Sequence, residues 1–425
     1  MSTNRFETTA YVLDEVLIRF INYLNFAKVA NRNFEDDFKN LKYATGQTIN
    51  YRLEERYLPG RGATAVSQAR VQVIRPLTIN TQFNTMVEFT GMQLTFDRAR
   101  DEPYLDMMLN PRAKTLANDV EKFIAIENFQ TQVYQAIGTP GVPIDFLTVA
   151  NTDAYMTELG IPDDGNRYFA NSPFVSAGLS DSLKAVFNMT VNRGALLDGF
   201  IGHLSGFDFF KTNFLTRQIA GAGQLGGGPF PAGFVGAGTV TNGPITGGNT
   251  ISVTGLGQAP GTVVFHLGDI LEVDVSAAVF MINPLTYEPI DGSAAGTVSQ
   301  RAQFVVTADV VSANGSTADI PVNPTIVVSG ARQNISAAIP NGAQMLLSMS
   351  FNRSIAFHNQ AIVFAAPPIK ELKGGVEVVT AYSDLYKLAI TYTLGADIRN
   401  YLQLDRIDAI GGVSINPEFA VIVRS

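Results

Sequence analysis

The chain has 425 residues, room for two or three domains or for one elaborated by insertions. Its hydrophobic fraction of 46% supplies a large core and argues against disorder, while only 16% of residues are charged, below the usual level of roughly 25%, so much of the surface is neutral or apolar and subunit interfaces are one place to hide it. A net charge of −8 argues against tight phosphate binding without excluding loose enclosure of nucleic acid, and the absence of cysteine excludes disulfides, thiol chemistry and cysteine zinc sites.

The opening Met1-Ser-Thr-Asn-Arg-Phe-Glu has neither the basic nor the apolar region of a signal peptide, which favours cytoplasmic synthesis. No stretch approaches the roughly eighteen apolar residues of a membrane-spanning helix, so no membrane is expected as a partner. Tyr11 to Phe26 reads as an amphipathic helix, with Leu13, Val16, Leu17, Phe20, Ile21 and Leu24 at three- and four-residue steps. Two readings of it stand open: an ordinary surface helix, or an N-terminal arm that packs on a neighbour.

From Thr48 to Phe96 the pattern is that of strands. Thr48-Ile-Asn-Tyr-Arg-Leu alternates, Val71-Gln-Val-Ile continues it, and Thr85 to Phe96 alternates throughout. Between the first two, Pro59, Gly60 and Gly62 mark a loop, so this reads as a long two-stranded excursion with a polar tip. Isolated hairpins are marginal in water, so it is expected to lean on another subunit. Asn110-Pro111 reads as the start of the longest helix, which runs to about Ile137 with Leu116, Val120, Phe123, Ile124 and Val133 along one face. A second helix is predicted from Ser172-Pro173, including Leu179, Leu183, Val186 and Phe187.

The stretch from Gln218 to Gly268 has no charged residue and holds fifteen of the 38 glycines, a composition shift that marks a boundary. Short strands follow at Thr262–His266, Asp269–Val275, Gln303–Thr307 and Thr325–Val328, which suggests a small β-barrel or sandwich at about 222–340. Gln344–Met349 and Ala361–Ala366 are read as a return to the main fold. Tyr386, Leu388, Ile390, Tyr392 and Leu394 share one face of an alternating strand, and Phe419–Val423 closes the chain.

Little resembles chemistry. Gly221-Ala-Gly-Gln-Leu-Gly226 has the dinucleotide-binding glycine spacing, but Gly227-Gly-Pro-Phe-Pro follows where a helix is required, and a flexible linker into the inserted domain is the better reading. His203, His266 and His358 are scattered, with no partner at metal spacing, and Ser205 lacks the glycines of a nucleophile elbow. The adjacent pairs Asp163-Asp164 and Glu54-Glu55 point their side chains apart and read as solvated turns. No cofactor, metal or catalytic residue is expected. No basic stripe with interleaved aromatics suggests sequence-specific nucleic-acid binding.

The block Ala195-Leu-Leu-Asp-Gly-Phe-Ile-Gly-His-Leu-Ser-Gly-Phe-Asp-Phe-Phe-Lys-Thr-Asn-Phe-Leu215, with Gly160-Ile-Pro-Asp-Asp-Gly-Asn-Arg-Tyr-Phe-Ala-Asn-Ser-Pro173 upstream, resembles the central region of tailed double-stranded-DNA bacteriophage major capsid (coat) proteins, in particular the short-tailed branch with an inserted β-barrel domain. Lys114-Thr-Leu-Ala-Asn-Asp-Val-Glu121 is similar to the family's spine helix. The resemblance implies an α+β capsid fold: N-terminal arm at 1–44, extended β-hairpin loop and flanking strands at 45–98, peripheral domain with a long spine helix at 99–150, axial domain at 151–221, an inserted all-β domain at 222–340, and returning axial and peripheral strands at 341–425.

The same resemblance implies a structural virion protein, not an enzyme, that self-assembles as hexamers and pentamers into an icosahedral shell around double-stranded DNA without sequence specificity. Scaffolding protein and portal are the implied further partners, and assembly is placed in the bacterial host cytoplasm. The candidate subunit contacts are Arg52, Arg56, Arg61 and Arg70 in the extended loop, because the planar guanidinium suits carboxylates at interfaces; simple solvation is the competing account of each. No Lys lies between Lys42 and Lys114, so a lysine cross-link from this loop is not expected. The alternatives from other classes are a non-viral container or β-rich adhesin, and an enzyme of unfamiliar site.

Overall fold

The computed structural model describes residues 9–32, 48–62, 67–90, 102–183, 202–223, 230–290, 299–370 and 376–425. The chain forms two compact units, each built from separated segments. The first comprises Met1–Leu53, Val73–Asn128 and Ile362–Ile415; the second comprises Glu54–Gln72, Phe129–Ala361 and Asn416–Ser425.

In the first unit, helix Thr9–Tyr23 buries Leu13, Val16, Leu17, Phe20 and Ile21, the stripe its spacing predicts. It stops short of Phe26, and a single turn, Phe26–Val29, follows. The cause is Glu121: its buried carboxylate accepts from the backbone N–H of Asn25, Phe26 and Ala27, each at 3.0 Å, taking donors that a continuous helix would direct to its own carbonyls. Burial pushes the Glu121 carboxyl up, and those three amides oppose the shift.

The long helix begins earlier than predicted. It runs Glu102–Lys122 with Pro111 inside it, so Asn110-Pro111 is not its start. Pro103 sits in the first turn, where a missing N–H costs nothing, and is the better start signal. The loss at Pro111 is borne by burial of Leu109, Ala113, Leu116, Ala117 and Val120 around it. A π-helical segment, Phe123–Phe129, then widens the helix.

The same unit holds an antiparallel sheet centred on strand Leu402–Ile415. One side of that strand pairs with Thr81–Thr90 and then with Ile362–Ala365, and the other side pairs with Leu388–Asp397, which pairs in turn with Glu377–Ser383. Tyr386 and Lys387, expected within a strand, form a turn instead. The paired base of the excursion also lies here, Thr48–Arg52 against Ile74–Thr78, three residues later than predicted on the second side.

The second unit carries a six-stranded mixed sheet, in the order Ala136–Ile137, Ala420–Arg424, Arg353–His358, Arg167–Asn171, Phe207–Lys211 and His203–Leu204. Helix Pro173–Leu183 starts where predicted. Helix Phe146–Glu158 was not anticipated; Asp145 caps it, accepting from the Thr148 backbone N–H at 2.8 Å.

The β-rich insertion is a closed six-stranded barrel, ordered Ile270–Val273, Gln303–Val306, Thr317–Val327, Gly247–Thr254, Phe234–Val240 and Gln344–Ser348. Its interior is filled by Ile251, Val253, Leu271, Phe304, Val306, Ile320, Met345 and Leu347. The uncharged glycine-rich stretch marks more than a boundary, since it supplies two barrel strands that precede the first one expected, at Thr262; and Gln344–Ser348 is not a return to the main fold, because it closes the barrel against Ile270–Val273 and Phe234–Val240. Glycine serves the barrel by allowing close approach. Gly238 has φ +90°, and a Cβ there would lie 2.8 Å from the Thr254 carbonyl oxygen, at a point where the register shifts.

Candidate assembly surface

The ladder of the excursion ends at Arg52 and Ile74, followed by one further bond from the Leu53 N–H to the Val73 carbonyl. Beyond it, residues 54–62 and 67–72 run without regular strand pairing. Here Gln68 stands in for a ladder residue: its amide oxygen accepts from the Leu58 N–H at 2.9 Å, and its amide nitrogen donates to the Leu58 carbonyl at 2.6 Å. One side chain thus ties the two arms together where the backbones do not pair.

The four arginines differ in their surroundings. Arg52 ends its strand and is exposed. Arg56 pairs with Glu418 at 2.8 Å, and Arg70 pairs with Glu55 at 2.7 Å, both inside the second unit. Arg61 lies exposed between Gly60 and Gly62, the latter at φ +111°. Glu55 also accepts from the Tyr57 hydroxyl and holds it above its usual range. Arg332, which sequence reasoning did not single out, donates to the Glu54 carbonyl at 2.8 Å. Its contact depends on tertiary position, so no local pattern announces it.

The seam between barrel and six-stranded sheet is of another kind. Gln303 on a barrel strand donates to the Ala136 carbonyl at 2.7 Å and accepts from the Ala136 N–H at 2.8 Å. Glu272, 2% exposed, accepts from Arg424 at 3.0 Å, Arg301 at 3.2 Å and Gln303 at 2.9 Å. The Phe234 ring lies beneath both guanidinium groups, at 5.4 Å from that of Arg301 and 5.0 Å from that of Arg424.

A second knot forms where the chain passes into the barrel and out again. Arg353 donates to Gln218 and to the Gly268 carbonyl, and Gln218 donates to Asp269 at 2.5 Å. Asp269 also accepts from the N–H groups of Gly221 at 2.9 Å and His266 at 2.8 Å. Burial pushes the Asp269 carboxyl up and brings Arg353 down to about 10.

Gly221 and Gly223 are packing positions: an added Cβ would sit 2.3 Å and 2.7 Å from the Val264 carbonyl oxygen. Gly226 lies outside the described residues. His203 is exposed and His266 half-buried, beside Asp208 and Asp309 respectively. His358 is buried and its Nε2 is 3.0 Å from Asp164. Donors from Asn166 and His358 hold the exposed Asp164 carboxyl down at about 2. Among the described residues no group of His, Asp and Glu could hold a metal ion, and no helix is long and apolar enough to cross a membrane. Residues 195–201 of the block that carries the resemblance lie outside the described residues, as do Val186 and Phe187.

A family model described as "P22 coat protein - gene protein 5" matches residues 1–422. No curated protein sequence matches the chain. Among solved structures it is similar to a chain from Mycobacterium phage Che8, at 12% identity and a TM-score of 0.47, covering 94% of this chain and 90% of that one. It is similar also to a chain from the capsid structure of the cyanophage P-SCSP1u, at 10% identity and a TM-score of 0.41, with 94% and 88% covered. A third is a chain from the capsid of Ralstonia phage GP4, at 8% identity and a TM-score of 0.42, with 94% and 88% covered.

Proposed function

The chain belongs to the P22 coat protein family and is a major capsid subunit that self-assembles into an icosahedral shell, and from that premise we propose how the shell is used and held. It encloses double-stranded DNA without sequence specificity, it is built in the bacterial host cytoplasm with a scaffolding protein and a portal, and its work is assembly alone, without catalysis. The net charge of −8 supports a wall that does not grip its contents. The observation that carries this reading is the family match across nearly the whole chain.

Within the subunit we propose a division into arm, extended loop, peripheral and axial parts, with the inserted domain closing at strand Gln344–Ser348. The extended loop reaches a neighbouring subunit through Arg52, Arg56, Arg61 and Arg70. Arg61 supports this best, being exposed at the glycine-flanked bend. Arg56 and Arg70 hold carboxylates of their own subunit, so docking would require them to share or exchange partners.

Negative-stain electron microscopy of the protein, expressed alone and with its genomic neighbours, tests the whole reading. Closed, uniform shells are expected in at least one preparation; monomers or fibres in both would overturn it. Arg61→Glu tests the loop: the variant subunit should fold with unchanged thermal stability and give few or no shells. Normal shells from it would remove Arg61 from the interface.

A further inference from the structure

We propose that Asn171, Ser176 and Ser354 build a buried site for ordered water, which joins the start of helix Pro173–Leu183 to the sheet beneath it. Asn171 and Ser176 are 1% exposed and Ser354 0%. Four of their polar atoms, Asn171 Oδ1 and Nδ2 and the two serine Oγ atoms, have no hydrogen-bond partner among the described residues.

Register and packing bring the three together. Strand Arg353–His358 pairs with Arg167–Asn171 at Ile355↔Ala170, so Ser354 and Asn171 stand opposite each other one step further along. Alternation puts both on the face that carries Phe169 and Ala356, two positions away on each strand. Helix Pro173–Leu183 lies over this face, since its Leu179 belongs to the same core as Phe169 and Ala356. Ser176, three residues before Leu179, is buried on the same side of the helix and nearer its Asn171 end. Buried polar groups are almost always bonded, so three unpartnered side chains in one place mark a ligand that the chain itself does not supply.

The bonding groups select water. Asn171 offers a donor and an acceptor whichever way its amide is turned, and each hydroxyl can do either. A water molecule also donates and accepts, and makes about three such bonds when buried. An ion here would lack a counter-charge. Lys211, paired with Asn171 on the next strand, is exposed. Arg353, adjacent to Ser354, belongs by alternation to the opposite face of the sheet, where it donates to Gln218 and to the Gly268 carbonyl. The nearby buried Thr212 hydroxyl is already engaged, accepting from the Phe214 N–H at 3.2 Å. The water is held by the folded subunit, assembled or free.

A structure of the natural chain at a resolution that shows ordered water should place density within hydrogen-bond distance of Asn171 and of the serine hydroxyls. Direct bonds among the three side chains, no density between them, or an ion in that place would each overturn the proposal. Oxygen-17 relaxation dispersion of the free subunit counts the water molecules held inside the fold. Asn171→Leu, Ser176→Ala and Ser354→Ala combined should lower that count by about one or more, because the apolar side chains leave a buried water nothing to bond. An unchanged count in a folded variant would sink the proposal as surely as a dry structure. If the combined variant does not fold, the density in the natural chain decides alone.

Discussion

The barrel seam and the extended loop belong to the same compact unit and are held in opposite ways. At the seam, buried polar groups are bonded several times over: Glu272 has three donors and Asp269 has three. In the loop, exposed groups are bonded sparsely, and the two arms meet through the side chain of Gln68. Buried charge is tolerated only when every partner is in place, so the seam is an all-or-none joint that fixes the barrel to its sheet. Exposed pairs contribute little and exchange readily, so the loop can trade its internal bonds for those of a neighbour. A shell subunit has use for both, a body that keeps its shape and an extension that can adapt.

Glu272→Ala should break this contrast most severely. It leaves the Arg424 and Arg301 guanidinium groups without their buried carboxylate, and removal of one partner of a buried pair costs about 3–5 kcal/mol. Urea denaturation of the free subunit measures this. Replacing Glu272, Arg301 and Arg424 together by Met should cost much less, because no charge of the cluster is then left unpaired. If the triple variant is as unstable as the single one, the seam is held by packing and not by charge.

The second comparison is of pH. Burial raises the Asp269 carboxyl, so between its ordinary range and its folded value the folded chain holds a proton that the unfolded chain has released. Stability from this site is therefore fully present below the ordinary carboxylate range and declines as pH rises through the raised value. Asp164 runs the other way: held at about 2, it contributes stability above its ordinary value of 3.8, and this is lost as pH falls toward 2. Stability profiles of Asp269→Asn and Asp164→Asn should each lose one of these opposite slopes. If both variants flatten the same limb, the assignment of buried and exposed roles is wrong.

The loop and the seam were also unequally legible. The arm stripe, the Pro173 helix start and three of the six barrel strands, one of them only at its end, follow from period and punctuation, which are local signals. The seam was invisible for a physical reason. Glu272, Gln303 and Arg424 meet across about 30 to 150 residues of chain, and a lone buried Gln or Arg has no periodic signature. Glycine is an ambiguous signal because it marks both linkers and close approaches of backbone; Gly221, read as part of a linker, is of the second kind, as is Gly238 within the barrel. The long helix was started too late because Pro111 follows a good capping residue, whereas tertiary burial on both sides carried the helix through it. Of the candidate contacts, the arginine-rich character of the loop was legible, but the pairing of Arg56 with Glu418 was not, since 362 positions separate them.

Gln68→Ala is the smallest and most discriminating change. An exposed side-chain bond contributes little to global stability, so the melting temperature of the free subunit should move by less than the equivalent of about 0.5 kcal/mol. Exchange of the Leu58 amide hydrogen, which Gln68 accepts, should accelerate nonetheless, because no backbone partner replaces it. A loosened loop must be ordered when it docks, so shells should form from this variant more slowly or at a higher subunit concentration than from the natural chain. That combination, unchanged stability with weakened assembly, is what separates a loop built for a neighbour from one built for its own fold. A fall in melting temperature comparable with that of a seam variant would place Gln68 in the body of the subunit and erase the distinction between the two regions.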